Sequence, residues 1–151
     1  SSTSRGLGDV YKRQVWEDAC VEFFSIPAGD GIYYNVECNC AGILLIGAGA
    51  GRENREHAPQ EVMDKVQRWS SLGRQSFEER VGECNWELAL VIPYSAFFKH
   101  QITSLDGKTV RANFYKCGDK LQTPHFLSWN PIALEKPNFH CPEFFGTLNF
   151  E

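Results

Sequence analysis

Hydrophobic and polar residues alternate along several short stretches of the chain, with the period of two that is typical of β-strands. The clearest stretches cover residues 15–26, 32–40 and 111–116. Turn-forming sequences precede the second and third of them, namely PAGDG at 27–31 and Asp-Gly at 106–107. The spacing predicts about seven to nine short strands, which is typical of a β-sandwich.

Two further segments complete the predicted fold. Residues 84–92 carry apolar side chains at both parities, which predicts a central strand that is nearly buried on both sides. Residues 59–69 have helical spacing, since Val62, Val66 and Trp69 recur at intervals of four and three. Trp69 is interpreted as a packing residue of this helix. The pattern predicts an all-β fold: a two-sheet antiparallel β-sandwich, immunoglobulin-like or jelly-roll-like, with one short peripheral helix.

Composition agrees with a single globular domain. The chain has 151 residues, 42% of them hydrophobic, and its 11 Phe, 5 Tyr and 4 Trp favour an aromatic-rich β core. The net charge of −4 is spread without long runs of one sign, so nucleic acid would find no concentrated basic face. No run of about 18 apolar residues occurs, and a membrane span is therefore not expected.

The first 14 residues, SSTSRGLGDVYKRQ, differ in character from the rest. Residues 9–14 are DVYKRQ, which GAT-GTG-TAT-AAG-AGA-CAG encodes, and this is the end sequence of a transposon adapter used in sequencing libraries. We interpret residues 1–14 as a non-native or disordered tail and residues 15–151 as the domain. Native sequence is then expected to begin near Val15, inside a domain that lacks its first strands, so the sequence does not indicate a localisation.

Two features resemble ligand-binding motifs without having their spacing. The segment GAGAGR at 47–52 lacks the Lys and Ser/Thr of a phosphate-binding loop, and no helix is predicted directly after it. The six cysteines contain no CxxC pair and no Cys/His set with zinc spacing. Cys38 and Cys40 share one strand face, which is poor geometry for a mutual disulfide. The cysteines are interpreted as small buried apolar residues, and a single disulfide among them stays an open alternative.

A row of polar side chains is the candidate binding surface. Arg111, Asn113 and Tyr115 occupy alternate positions and so project to one side of their strand. Trp129 follows in the aromatic run HFLSWNP. Hydrogen-bond donors beside a large flat ring suit a neutral polyhydroxylated ligand, because its hydroxyls take the hydrogen bonds and its apolar face covers an indole. The alternative is a buried tryptophan beside an ion-paired arginine.

Four stretches, taken in chain order, have a family resemblance. VWEDACVEFF, RANFYKCGD, PHFLSWNPI and FHCPEFFGTLNFE resemble the family-9 carbohydrate-binding modules and their relatives in the DOMON-like β-sandwich superfamily. The resemblance covers most of residues 15–151. It implies a sugar that is held between two tryptophans and hydrogen-bonded by charged and amide side chains. It also implies an oligo- or polysaccharide ligand, an attached or partner glycoside hydrolase, and an extracytoplasmic location.

The resemblance assigns roles residue by residue. Trp16 and Trp129 match the two tryptophan platforms of the family. The other expected members lie on the floor and at the margin of the same site: Glu22, Arg111, Asn113, Tyr115 and His125. Parity alone does not show that the side chains of Glu22 and Arg111, which lie on different strands, project to the same face of the sheet. The resemblance supplies that step. A weak site is expected, with a Kd of about a micromolar to a millimolar.

Neither a catalytic residue nor a cofactor is predicted. The family often holds structural calcium, although no acidic cluster with calcium-loop spacing occurs in this sequence. Cys141 stands where relatives usually have a basic or polar residue, so no role is carried over to that position. The favoured hypothesis is a non-catalytic module that binds carbohydrate and supports polysaccharide degradation.

Three alternatives to this hypothesis stay open. A glycoside hydrolase would need paired carboxylates, for which Glu22 and Glu37 are candidates, although both lie mid-strand and are better explained as ion-pair partners of Arg111. A DOMON-type haem or electron-transfer domain would need a Met/His or His/His pair, and Met63 is the only methionine. The third alternative is a purely structural sandwich attached to another domain.

Overall fold

The structure, a computed structural model, describes residues 15–151 except for the side chain of Trp16. Nine β-strands are present within these residues: β1 (Cys20–Ile26), β2 (Tyr33–Asn39), β3 (Leu44–Gly49), β4 (Glu56–His57), β5 (Gln67–Ser70), β6 (Leu88–Val91), β7 (Thr109–Gly118), β8 (His125–Ser128) and β9 (Gly146–Asn149). The helical segments are short: α1 (Gln60–Met63) and 3-10 turns at Val15–Glu17, Tyr94–Ala96 and Pro142–Phe144. The predicted tail, residues 1–14, lies outside the described residues.

Most of the strands form one large antiparallel sheet. Its order is β4-β3-β2-β1-β7-β8, and β9 also pairs with β7. Because β7 is ten residues long, its outer edge is shared, with β9 paired to residues 109–112 and β8 to residues 115–118. The second sheet consists of β5 and β6. The two sheets make an all-β sandwich, which confirms the predicted fold class.

One face of the large sheet, here called the apolar face, carries the main hydrophobic core. Buried side chains of β2, β3 and β7 meet on it: Tyr34, Val36, Ile46, Ala48, Val110 and Ala112. Partly buried residues of α1, β6 and the Tyr94–Ala96 turn cover them, including Met63 and Leu88. Burial of a large aliphatic side chain contributes roughly 1.5–3 kcal/mol. The apolar face therefore holds the small second sheet against the large one.

The opposite face, here called the cleft face, combines aromatic and polar side chains. Its aromatic members form one cluster: Phe24, Tyr33, Tyr115 and Phe145. The carboxyl groups of Glu22 and Glu37 are buried beside this cluster. Since both faces of the sheet are covered at its centre, all seven residues of β2 are buried. The structure thus places polar chemistry inside the domain instead of on a solvated surface.

The helix predicted over 59–69 is wrong beyond its first turn. α1 ends at Met63, and residues 67–70 form β5 instead. Trp69 is the cross-strand partner of Ala89 and is 53% exposed, so it is not a helical packing residue. Three apolar residues at helical spacing are a weak signal, and pairing with β6 overrides it. Within residues 15–151, no helix has the length and apolar character needed to cross a membrane.

The strand predicted over 84–92 is shorter and less buried than expected. β6 covers only Leu88–Val91 and lies in the two-stranded sheet, not at the centre of the large one. Leu88 and Leu90 pack against the apolar core, whereas Val91 is 62% exposed. Apolar residues at both parities predict two covered faces, but only one face of β6 is covered by the core.

Candidate functional site: a polar cleft

A cleft of about 450 Å³ opens over the polar part of the cleft face. Strand register explains why its floor is polar, because Glu22 lies directly opposite Glu37 on one side and opposite Tyr115 on the other. The floor side chains come from three adjacent strands: Glu22, Asn35, Glu37 and Cys117. The rim is formed by residues outside those strands: Arg52, Arg55, His57, Asp119, Phe126 and Phe139.

The two carboxyl groups on the floor are buried next to each other. Glu22 is 5% exposed and Glu37 is 3% exposed. Burial raises the pKa of Glu22 well above its usual range, and the neighbouring Glu37 raises it further. Burial also raises the pKa of Glu37, although a hydrogen bond from Asn35 and the charge of Arg55 oppose that shift. The pair therefore keeps at least one proton at neutral pH, so it can donate as well as accept a hydrogen bond.

One oxygen of this carboxyl pair has no hydrogen-bond partner among the described residues. Glu37 Oε1 accepts from Asn35 Nδ2 at 2.7 Å, but the buried Glu37 Oε2 has no such partner within residues 15–151. Glu22 Oε1, by contrast, lies 3.0 Å from Cys117 Sγ. Leaving a buried polar atom unpaired costs about 1–3 kcal/mol. A hydroxyl group that enters the cleft and donates to Glu37 Oε2 would recover that free energy.

The glycine-rich segment has a packing role at this site. Arg55, which follows that segment, donates from Nη1 to Gly51 O and from Nη2 to Asn35 Oδ1, both at 2.8 Å. Its guanidinium also lies 4.0 Å from the centre of the Tyr33 ring. A Cβ atom on Gly47 would stand 2.6 Å from Asn35 Oδ1, so only glycine leaves room for that amide. The glycine-rich segment therefore positions the cleft floor. This packing role accounts for its glycines without a phosphate-binding loop.

Aromatic rings form one side of the cleft. Phe139 stacks on Tyr115 with ring centres 4.1 Å apart, and the Tyr115 hydroxyl donates to Phe139 O at 3.1 Å. Phe126 meets Phe139 edge-on at 6.2 Å and is 40% exposed. His140 lies 2.8 Å from the Tyr33 hydroxyl through Nδ1, and burial lowers the pKa of His140 to about 4. The imidazole is therefore neutral at physiological pH and can either donate or accept.

Of the predicted site residues, Glu22 lines the cleft and Tyr115 supports its aromatic side. Arg111 and Asn113 lie on the same face, but their polar groups bind backbone. Arg111 Nε donates to Phe145 O at 3.0 Å. Asn113 is fully buried, and its Oδ1 accepts from Asn130 N at 2.8 Å. Both side chains hold the 129–145 segment against β7 and do not line the cleft.

The structure does not bring Trp129 or His125 to this cleft. Phe114 and Lys116 alternate with the residues of the cleft face and so point to the apolar face. The Trp129 ring packs against Phe114 with centres 5.8 Å apart, and it is 54% exposed. The His125 ring hydrogen bonds to the Lys116 ammonium. Trp129 and His125 therefore lie on the other face of the sheet from Glu22 and Tyr115, and their roles in a sugar site stay predictions.

Trp16 can be placed only by its backbone. It belongs to the 3-10 turn Val15–Glu17, and its side chain lies outside the described residues. Val15 beside it clusters with Cys20 and Cys117, and Phe139 packs against this cluster. Cys117 and Phe139 line the cleft. The role of Trp16 as a sugar platform stays a prediction.

Several residues of the cleft were not among the predicted site residues. Cys117 continues the parity of Arg111, Asn113 and Tyr115, so extending that row by two positions would have found it. Cys20 shares the parity of Glu22 in the same way. Arg55, Phe139 and His140 lie in loops or just after strands and carry no periodic signal, and only the folded chain brings them together. 

Comparison with known proteins agrees with the resemblance found in the sequence. The chain matches the model of carbohydrate-binding family 9 over residues 5–150. No curated protein gives a significant match. Among solved structures, the chain is similar to a crystal structure from Bacteroides uniformis ATCC 8492, a protein provisionally named as carbohydrate-binding, at 70% identity and a TM-score of 0.88. The similarity covers 91% of this chain but 63% of that protein, so this chain spans less than two thirds of its relative. Because the family match extends over nearly the whole sequence, the chain belongs to carbohydrate-binding family 9.

Proposed function

We propose that the cleft over Glu22 and Glu37 is the carbohydrate site and holds a neutral sugar unit of an oligo- or polysaccharide. The observation that carries this proposal is the buried Glu37 Oε2, which lacks a hydrogen-bond partner within residues 15–151 and belongs to a residue that lines the cleft. A sugar hydroxyl can donate to this oxygen, and the oxygen of a second hydroxyl can accept a hydrogen bond from the protonated member of the carboxyl pair.

Size and aromatic character support the same proposal. A volume of about 450 Å³ lies within the usual range for small-molecule sites, roughly 300–1,000 Å³. Phe126 and Phe139 present rings at the rim, and the apolar face of a sugar can cover them. Trp16 is our candidate for a further aromatic wall, since Val15 next to it packs close to the cleft. Few contacts and an open rim suit a Kd of about a micromolar to a millimolar.

The domain is proposed to act without catalysis. Sugar binding would hold an attached or partner glycoside hydrolase near its polysaccharide and so raise the local substrate concentration. Purified protein should release no product from polysaccharides or aryl glycosides. The second candidate function, glycoside hydrolysis, is favoured only by the two neighbouring buried carboxyl groups, of which one is protonated as a general acid must be. Turnover that disappears in Glu22→Gln and Glu37→Gln would establish that second candidate.

Calorimetric titration with a panel of oligosaccharides tests the site. Phe126→Ala and Glu37→Ala should each weaken binding at least tenfold, or about 1.4 kcal/mol. Trp129→Ala is the matched control, because Trp129 is a similarly exposed aromatic residue on the opposite face of the sheet. The sugar affinity of the Trp129→Ala variant should stay within about twofold of that of the wild-type protein. Thermal melts of all three variants exclude unfolding as the cause of any loss.

The same titration contains the outcome that would overturn the proposal. If Trp129→Ala loses affinity while Phe126→Ala retains it, the sugar binds on the other face of the sheet. Trp16→Ala is titrated in parallel, and a tenfold loss in that variant would place its indole in the site. A panel that gives no binding to any sugar, with folded wild-type protein, would remove the proposed function altogether.

A further inference from the structure

Two thiols and a carboxyl group converge beneath the cleft. The side chains of Cys20, Glu22 and Cys117 each place a potential ligand atom within 4.8 Å of the other two. All three residues are buried, at 0%, 5% and 1% exposure respectively. This grouping follows from the sheet, because Cys20 is the direct cross-strand partner of Cys117, and Glu22 is two residues along the same strand.

The spacing of these atoms fits a tetrahedral metal ion. Zinc binds sulfur at about 2.3 Å and carboxylate oxygen at about 2.0–2.2 Å, so neighbouring ligand atoms around it stand roughly 3.5–3.8 Å apart. Cys117 Sγ and Glu22 Oε1 are 3.0 Å apart, and a small rotation of either side chain opens that distance. β1 and β7 are adjacent strands in the interior of the sheet, which makes the cluster rigid.

A second buried polar side chain lies on the strand next to this cluster. Glu37 is the cross-strand partner of Glu22, and its Oε2 is buried in the cleft without a hydrogen-bond partner among residues 15–151. Glu22 and Cys117 both line the cleft, so an ion can enter from solvent. Asp119 lines the same cleft. The coordination position that faces the cleft is therefore open to water or to an oxygen of Asp119.

We propose that Cys20, Glu22 and Cys117 bind one thiophilic divalent cation, with zinc as the probe, at the floor of the cleft. Thiolate sulfur selects soft or borderline ions over calcium and magnesium, which prefer all-oxygen sites. Such an ion would hold β1 and β7 together from within the sheet. Glu22 and Cys117 also line the sugar cleft, so metal binding and sugar binding are measured separately.

Metal analysis of the reduced protein tests the proposal directly. The background is Cys84→Ser, which removes the exposed thiol and with it a source of adventitious binding. After incubation with zinc and removal of free metal, mass spectrometry of the elements should find one zinc per chain. Cobalt loading should give an intense thiolate-to-cobalt band in the near ultraviolet, and zinc should raise the melting temperature.

Variants of the cluster separate a built site from chance binding. Cys20→Ser and Cys117→Ser should each lower zinc affinity at least tenfold and reduce the cobalt band. Cys141→Ser is the matched control, because Cys141 is equally buried but lies outside the cluster, and it should bind zinc as the background does. Sugar titration of zinc-loaded and zinc-free protein in the same series keeps the two proposals separate.

Three outcomes would overturn the proposal, and none depends on the variants folding. The first is folded background protein that retains no stoichiometric zinc. The second is a cobalt complex without the thiolate band. The third is an intact mass two hydrogens below the reduced value, with Cys20 and Cys117 recovered as a linked peptide. That result would make the pair a cross-strand disulfide instead of a metal site.

Discussion

Replacement of Asn113 by alanine distinguishes a structural residue from a ligand contact. The family resemblance implies that Asn113 hydrogen bonds to the sugar, whereas the structure buries its amide completely. Its Oδ1 accepts from Asn130 N at 2.8 Å and from Phe114 N at 2.9 Å, and its Nδ2 donates to Asn130 O at 3.1 Å. These bonds fill the gap between β8 and β9, where the outer edge of β7 has no strand partner. We therefore expect Asn113→Ala to act on the stability of the domain.

The expected loss of stability in Asn113→Ala follows from these three short hydrogen bonds. Each contributes about 1 kcal/mol net, and the half-buried backbone groups of Asn130 would lose these partners, so Asn113→Ala should lower the free energy of unfolding by about 3 kcal/mol. A domain of this size is stable by roughly 5–15 kcal/mol, so the loss is a large fraction. It corresponds to a fall in melting temperature of about 6–12 °C.

Urea denaturation and sugar calorimetry on the same variant complete this test. The control is Asn149→Ala, whose side chain is exposed and accepts one hydrogen bond from Thr109, and it should cost less than about 0.5 kcal/mol. At a temperature where Asn113→Ala remains folded, its sugar affinity should equal that of wild type within about twofold. Unchanged stability combined with a tenfold loss of affinity would refute the structural role and restore Asn113 to the site.

Further predictions concern the glycine-rich segment, the carboxyl pair and an exposed tryptophan. Gly47→Ala should destabilise the domain by about 1–3 kcal/mol in urea melts, because its Cβ would stand 2.6 Å from Asn35 Oδ1. Gly51→Ala should be nearly neutral, since nothing lies within 4 Å of the added Cβ. The folded state keeps a proton on Glu37 that the unfolded chain releases above about pH 4.3, so wild-type stability should fall as the pH rises from there through the raised pKa. Glu37→Gln should flatten this decline in melts recorded from acid to alkaline pH, and an unchanged slope would contradict the buried-carboxyl argument. Trp69→Ala should leave both sugar affinity and melting temperature within error, because the ring is 53% exposed on β5.

Strand parity is the part of the site that the sequence predicts best. Arg111, Asn113 and Tyr115 project to one face of β7, as their parity predicts. Glu22 projects to the same face from β1, which the family resemblance implied and parity alone did not. What these side chains touch could not be predicted, because their contacts come from the 129–145 segment, which has little regular structure. The polar groups of these side chains can hydrogen bond to a ligand as well as to backbone, so the sequence does not distinguish the two.

The position of Trp129 shows a second limit of sequence patterns. Its face depends on the register of β8 against β7, in which Ser128 is opposite Tyr115. A shift of that register by one residue would carry Trp129 to the cleft face, and no periodic signal in a four-residue strand determines the register. The short helical pattern at 59–69 failed for a related reason, since long-range pairing decided the structure of a segment with weak local preference.

The complete burial of β2 has a consequence for how the domain opens. All seven of its residues are buried, and β1 and β3 take up its backbone hydrogen bonds on both edges. Amide protons of β2 can therefore exchange with solvent only when the domain unfolds globally, and their protection should report its full stability. β5 and β6 have one partner each and alternate residues exposed, so their amides can exchange through local opening. The cleft floor on β2 thus belongs to the slowest-exchanging unit of the molecule, and the small second sheet can fray without disturbing it.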